Sequence, residues 1–294
     1  MTASFPSQLV SVNHVRLFLQ TIKFEHSVFA LPFAILTAFQ LEDGLPPAAP
    51  FTWVLVAMVG LRTFAMTANR LIDARIDSLN PRTADRAMPA GLITAKHMWL
   101  SMLISLGFYG AAVSQLDPLT WILAPIPVAV MTLYPYTKRF TWLSHFVLGL
   151  TYLFVPPATW IAFTGNLPIW TVIMGVAAAL WVTGFDIIYG TQDVEVDVKQ
   201  GLHSIPARFG VDRALMTARW LHIMAIVGLI VSGFLLLVGP LYWVGIGITA
   251  ALLWYEHTLV SPRDLTKLTV AFFTMNGVIA VVFGVFTSLD GMLI

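Results

Sequence analysis

Apolar stretches of about 20 residues follow one another along almost all of this 294-residue chain, and they decide what it can fold into. A helix of that length crosses the hydrocarbon core of a bilayer, where backbone polar groups must be satisfied inside the protein. Hydrophobic residues make up 58% of the sequence and charged residues 11%, with a mean hydropathy of +0.81. A water-soluble globule of ordinary composition does not reach such values. The sequence therefore reads as an all-α integral membrane protein, a single domain over 1–294 with about nine transmembrane helices. The expected spans are 24–41, 51–73, 96–115, 118–136, 142–164, 169–189, 213–235, 239–258 and 268–288. The absence of cysteine excludes disulfides, thiolate metal sites and a cysteine nucleophile. The net charge of +1 is uninformative by itself, and no nucleic-acid partner is expected.

Charge is rare but unevenly placed. The connections at 42–50, 116–117, 165–168 and 236–238 and the tail after 288 contain no Lys or Arg. The loops at 74–95, 137–141, 190–212 and 259–267 do, so the positive-inside rule places them and the N-terminus in the cytoplasm, with the C-terminus outside. The first residues lack a basic start followed by a short apolar core, so no removable signal peptide is expected. Within 11–23, Val15, Phe18, Leu19 and Ile22 fall opposite Arg16, Gln20 and Lys23. That pattern fits a short helix at the membrane surface, although a plain cytoplasmic lead-in fits equally. Pro32, Pro125, Pro127, Pro156 and Pro157 sit within expected spans, where they would kink the helices.

Two stretches concentrate carboxylates at cytoplasmic helix ends. In NRLIDARIDSLNPRTADRAMPAG, Asn69, Asp73 and Asp77 recur every four residues, along one helical face, and Arg82, Arg86, Pro89 and Gly91 follow. In GFDIIYGTQDVEVDVKQGLHSIPARFG, Asp186, Tyr189, Asp193 and Asp197 are followed by Lys199, Ser204, Pro206 and Arg208, as in a faint internal repeat. One Asp pair at a helix end can simply be solvated. Two pairs on the same side, each trailed by basic residues, fit a site for a hard cation and an anion. Mg²⁺ is commonly bound through one or two carboxylates plus substrate phosphates, so two acidic rows fit two Mg²⁺ ions bridged by a diphosphate. Arg82, Arg86, Lys138, Arg139, Lys199 and Arg208 are the cations available for its remaining oxygens.

Tyr134 and Tyr136, in the YPYTKR loop, could face a developing carbocation, an interaction of about 0.5–2 kcal/mol, or belong to an interfacial aromatic belt. Arg62 lies seven residues before Asn69, and Asp186 seven before Asp193, two turns deeper on the same faces. Intramembrane charges usually face a cavity or a partner, so this pair reads either as pocket residues or as a mutual salt bridge.

These motifs resemble those of the UbiA superfamily of intramembrane aromatic prenyltransferases. Its NxxxDxxxD motif is present as Asn69, Asp73 and Asp77, followed by RTxxRxxPxG at Arg82, Thr83, Arg86, Pro89 and Gly91. Its YxxxDxxxD motif is present as Tyr189, Asp193 and Asp197, followed by GxxSIPxRFG at Gly201 to Gly210. The likeness extends over essentially the whole chain, through KFEHSVFALPFA at Lys23 to Ala34, YPYTKR, and Asn276 in the last span. Asp85 departs from the small or polar residue expected in the family. The resemblance implies a nine-helix horseshoe around a central cavity, with two Mg²⁺ ions held by the aspartates and by the diphosphate of a polyprenyl donor. It further implies an aromatic carboxylic acid beneath the diphosphate, its carboxylate on Arg62 and its hydroxyl on Asp186. Either 4-hydroxybenzoate or a dihydroxynaphthoate meets that description. Such a protein would sit in the bacterial inner membrane. A transporter or lipid-binding protein also carries intramembrane charges and broken helices, but its charges gather near the bilayer midplane rather than at one edge.

Overall fold

A computed structural model describes residues 14–23, 29–41 and 45–293. The start of the first expected span and residues 11–13 of the expected surface helix lie outside them. The described chain is nearly all helical. It runs through α1 (His14–Thr21), α2 (Leu31–Phe39), α3 (Ala48–Ser78), α4 (Ala95–Val113), α5 (Pro118–Leu123), α6 (Pro125–Thr137), α7 (Ser144–Leu153) and α8 (Val155–Thr164). It continues through α9 (Ile169–Gly190), α10 (Val194–Gln200), α11 (Ile205–Phe209), α12 (Val211–Leu236), α13 (Pro240–Thr258) and α14 (Asn276–Leu293).

Among the described residues, six helical segments are long and apolar enough to cross a membrane: Ala48–Ser78, Pro118–Thr137, Ser144–Thr164, Ile169–Gln200, Val211–Leu236 and Val270–Leu293. Helices α4 and α13, 19 residues each, coincide with expected spans and are long enough to cross, but they are not apolar enough to be among these six. Proline breaks two of the segments. Pro125 opens α6 just after α5 ends, and Pro156 and Pro157 occupy the first turn of α8 just after α7 ends. At those positions proline's missing N–H leaves no helical bond unmade, which is why the breaks fall there.

Helix ends are set by local chemistry. Thr94 accepts from the His97 amide to start α4, Asp117 from the Leu119 amide to start α5, and Ser204 from the Ala207 amide to start α11. Gly201 ends α10 in the left-handed conformation, with φ of 66°, and turns the chain back toward Ser204.

Helix α9 is the central element, packed chiefly against α12 on one side and α7 on the other. The main core gathers around it, with Trp181, Phe185, Phe29, Phe33 and Phe283 all buried. Helix α3 packs along α4, and α14 packs on α13 and α2. At the α7–α9 contact the backbones meet at Gly149, where an added Cβ would lie 2.5 Å from the Ala179 carbonyl oxygen. Gly149→Ala should therefore destabilise the protein by about 1–3 kcal/mol and lower its thermal midpoint in detergent. Gly107→Ala, where an added Cβ meets nothing within 4 Å, should not. Equal midpoints for the two variants would contradict this packing.

Candidate active site

The C-terminal half of α3 carries Asn69, Asp73 and Asp77 on one face, and Asp73 and Asp77 are almost wholly buried. A buried carboxylate is tolerated only when paired, and each finds cations from other parts of the chain. Lys138 Nζ lies 2.8 Å and an Arg139 guanidinium nitrogen 3.4 Å from Asp73. Asn69 Nδ2 donates to the same carboxylate at 3.3 Å. Arg86 donates to both oxygens of Asp77 at 2.8 and 2.7 Å, and Arg70 lies 3.6 Å from it. Arg70 also donates through Nε to the Thr21 carbonyl, which pins the end of α1 to α3.

The second acidic row does not continue α9 as a regular helix. A 3₁₀ turn at Thr191–Asp193 separates α9 from α10, so Asp193 and Asp197 are turned to different partners. Arg82 donates to Asp193 through Nε at 3.0 Å and through a terminal nitrogen at 2.6 Å, and to the Tyr189 hydroxyl at 2.9 Å. Asn80 Nδ2 donates to the same Asp193 at 3.0 Å. The loop after the first row is thereby latched to the second row. Burial opposes the Arg82 charge, yet its hydrogen bonds to Asp193 and the nearby carboxylate hold the guanidinium above its ordinary pKa. Asp197 accepts from Ser204 Oγ at 2.8 Å, and the His203 amide donates to the Lys138 carbonyl at 2.7 Å, tying the 138 loop to this segment.

Beneath these charges runs a cavity of about 690 Å³. Its mouth is lined by Asn69, Asp73, Asp77, Asp193, Asp197 and Arg86, and its far end by apolar residues such as Val54, Leu116 and Ala162. Between them lie Arg62, Tyr134, Asp186 and Tyr189. Arg62 and Asp186 do not pair with each other: Asp186 Oδ2 lies 2.7 Å from His145 Nδ1, and Arg62 lies beside Tyr152. Tyr189 stacks on Phe272 with ring centroids 4.0 Å apart. Phe272 belongs to a π-helical turn, Val270–Met275, whose Ala271 and Phe272 carbonyls accept from Asn276 Nδ2.

Several expected site residues lie elsewhere. Lys199 is exposed and does not line the cavity. Arg208 is exposed and lies over the Trp142 and Phe209 rings, at 5.8 and 5.5 Å from their centroids. Tyr136 is exposed with Arg139 over its ring. Sequence reasoning passed over Arg70, Asn80, His145 and Phe272. Arg70 had a signal, since Asp73 and Asp77 follow it by three and seven residues, a helical face. Nothing in the local sequence marks His145, which is 41 residues from its partner.

Facing carboxylates and cations at the polar mouth of an apolar intramembrane cavity define a membrane enzyme that handles a lipid-like anion. Residues 30–278 match the model of the UbiA prenyltransferase family, and the chain belongs to that family. It is 30% identical over 248 residues to the 4-hydroxybenzoate octaprenyltransferase of Aliivibrio fischeri strain MJ11, covering 83% of this chain and 85% of that one. The enzyme of the same name from Saccharophagus degradans is 31% identical over 243 residues, covering 82% and 80%. The apo structure of a UbiA homologue from Aeropyrum pernix K1 superimposes with a TM-score of 0.82 at 28% identity, over 90% of this chain and 98% of that one. A UbiA homologue from Archaeoglobus fulgidus, solved bound to GPP and Mg²⁺, shares the fold with a TM-score of 0.72 at 18% identity, over 95% and 100%.

The Asp193 latch is testable without a substrate. Arg82→Ala removes three hydrogen bonds, two of them to a carboxylate. At about 1–3 kcal/mol of local stability, amide hydrogen exchange across residues 80–92 should quicken about tenfold or more. Unchanged exchange in that loop would show that it is held by something else.

Proposed function

We propose that this protein transfers a polyprenyl group from a polyprenyl diphosphate to an aromatic carboxylic acid, most simply 4-hydroxybenzoate, in the bacterial inner membrane. The observation that carries this reading is the cavity itself, a mouth of paired carboxylates and cations above a long apolar interior. The names of the relatives favour 4-hydroxybenzoate over a dihydroxynaphthoate. Nine crossings in a horseshoe around the cavity, forming one unit over residues 1–294, complete the proposed architecture. The N-terminus and the charged loops face the cytoplasm and the C-terminus lies outside.

The acidic rows fit Mg²⁺ by their chemistry, since all four aspartates offer hard oxygen ligands at one mouth. Among the described residues, no three acidic or histidine side chains cluster tightly enough to hold an ion by themselves. Mg²⁺ needs only one or two carboxylates when substrate phosphates supply further oxygens, so this spacing suits an ion that arrives with a diphosphate. Asn69, Asp73 and Asp77 would hold one ion and Asp193 and Asp197 a second. Bound there, Mg²⁺ supplies positive charge to the leaving diphosphate.

The chain's own cations share that task. Arg82, Arg86, Lys138 and Arg139 exchange carboxylate for diphosphate oxygens and stabilise the negative charge that grows as the allylic C–O bond breaks. Tyr134, and Tyr189 held on Phe272, present aromatic faces to the allylic cation left behind. Arg62 takes the acceptor's carboxylate. Asp186 keeps its second oxygen for the ring hydroxyl, so the electron-rich ring carbon is directed at the cation and closes the new carbon–carbon bond. The apolar far end receives the hydrocarbon tail.

A membrane assay with Mg²⁺, a polyprenyl diphosphate and each candidate acid should yield prenylated 4-hydroxybenzoate and free diphosphate. Absence of product with every acceptor would overturn the enzyme reading, and product from a dihydroxynaphthoate alone would move the substrate. Asp73→Asn and Asp193→Asn should each lower turnover at least about a hundredfold, roughly 3 kcal/mol of transition-state stabilisation. Full Mg²⁺-dependent turnover in both variants would remove the aspartates from the site.

A further inference from the structure

We infer that the Tyr152 hydroxyl is a second binding group for the carboxylate of the aromatic acceptor, beside Arg62, and that the pair selects acceptors carrying this anion. The inference rests on the prenyl-transfer reading and adds to it how the acceptor is chosen. Tyr152 is in the last turn of α7, 8% exposed, and it lines the cavity. His145, Leu148, Tyr152 and Val155 all line it, at steps of three, four and three residues, so one face of the α7–α8 segment points inward. Arg62 comes from α3 and is half-buried, seven residues and about 10 Å along the helix axis from Asn69 at the mouth. It lies beside Tyr152, and Asp186 is within electrostatic reach of the same side chain.

Arg62 makes no ion pair among the described residues, a costly position for a guanidinium below the mouth of an intramembrane cavity. Its Nε is sealed in the packing without a hydrogen-bond partner among them, so only its terminal nitrogens are left to meet a ligand. A guanidinium has five N–H donors and no acceptor, so the phenol beside it can accept from Arg62 but cannot donate to it. The carboxylate within electrostatic reach, Asp186, is engaged by His145 Nδ1 at 2.7 Å. Among the described residues the Tyr152 hydroxyl donates to no acceptor, and unlike Arg62 Nε it is not sealed in the packing. The two side chains therefore present only donors to the cavity, one of them charged. A carboxylate supplies what they lack, a negative charge and two oxygens, one for the guanidinium and one for the O–H.

The same arrangement discriminates between acceptors. A ring without an anion would leave Arg62 charged and unpaired in an apolar cavity, and an ester offers a carbonyl but no charge. Arg62 and Asp186 both act on Tyr152, so its hydroxyl is within reach of the groups proposed for the two ends of the acceptor. A carboxylate fixed at Arg62 by two donors rather than one cannot swing about a single bond, which keeps the ring hydroxyl directed at Asp186. No bond is made or broken at Tyr152. Its part is acceptor binding, and removing it should be felt in affinity rather than in turnover.

The deciding variant is Tyr152→Phe, which keeps the ring and its packing and removes the hydroxyl alone. Binding of 4-hydroxybenzoate and of its methyl ester to the full-length wild type and variant in detergent is measured by calorimetry, and turnover with 4-hydroxybenzoate gives kcat and both KM values. The Kd and KM for 4-hydroxybenzoate should rise about 10–100-fold, while kcat and donor KM stay within about threefold of the wild type. For the methyl ester, whose carbonyl offers only a neutral bond, the loss of affinity should stay below about fivefold. A Kd for 4-hydroxybenzoate within about threefold of wild type, a loss confined to kcat, or an equal loss for acid and ester would overturn the assignment while leaving the prenyl-transfer reading intact. A wild type that forms no prenylated product with any acceptor would overturn both.

Discussion

Carboxylates cannot be buried at the edge of a bilayer unless cations are buried with them, and the arrangement of this protein's mouth follows from that pairing. Five cationic side chains reach three aspartates: Lys138 and Arg139 at Asp73, Arg70 and Arg86 at Asp77, and Arg82 at Asp193. Only Arg70 lies on the same helix as its partner. The others come from the loop after α3 and from the end of α6, and the pairs of Lys138 and Arg139 with Asp73 and of Arg82 with Asp193 tie together segments distant in sequence. Breaking one such pair leaves an uncompensated charge, which is far more destabilising than the modest value of a surface ion pair. The mouth is thus assembled before any substrate arrives. Its surplus of cation over paired carboxylate is what an incoming polyanion needs.

Below the mouth the constraint changes from charge to backbone. No water in the hydrocarbon region can satisfy a carbonyl released by an irregular helix, so irregularities occur only where a side chain serves them. The π-helical turn at Val270–Met275 is the example. Asn276 donates to both the Ala271 and Phe272 carbonyls and accepts from Trp181 Nε1 at 2.8 Å. The extra residue of that turn carries Phe272 to the cavity wall, where its ring lies under Tyr189. A buried amide in α14 thereby fixes the orientation of an aromatic face in the site.

The apolar stretches and the four-residue aspartate spacing were legible because both are local. Length and hydropathy do not depend on what a segment packs against, and residues four apart on a helix share a face wherever that helix goes. The second row was only half legible. Its spacing holds, but the 3₁₀ turn at Thr191–Asp193 rotates Asp193 toward Arg82 and leaves Asp197 with Ser204. Basic residues trailing each row looked alike in sequence and divide in space. Arg82 and Arg86 turn inward because carboxylates meet them, whereas Lys199 and Arg208 lie on short helices whose outer faces are exposed. His145 and Asn80 were invisible because their partners are 41 and 113 residues away. No periodicity encodes a contact across that distance.

The separation of Asp186 from the mouth explains why one chain can hold five carboxylates near one cavity without their roles merging. Asp73, Asp77 and Asp193 are each within ion-pair reach of Lys or Arg. Asp186 has no ion pair with Lys or Arg among the described residues and has the His145 imidazole instead, with Nδ1 2.7 Å from Oδ2. The ion pairs with Lys and Arg are therefore gathered at the mouth of the cavity. One wall thus holds two separate polar levels, the ion-paired aspartate rows at the mouth and the Asp186–His145 pair below them.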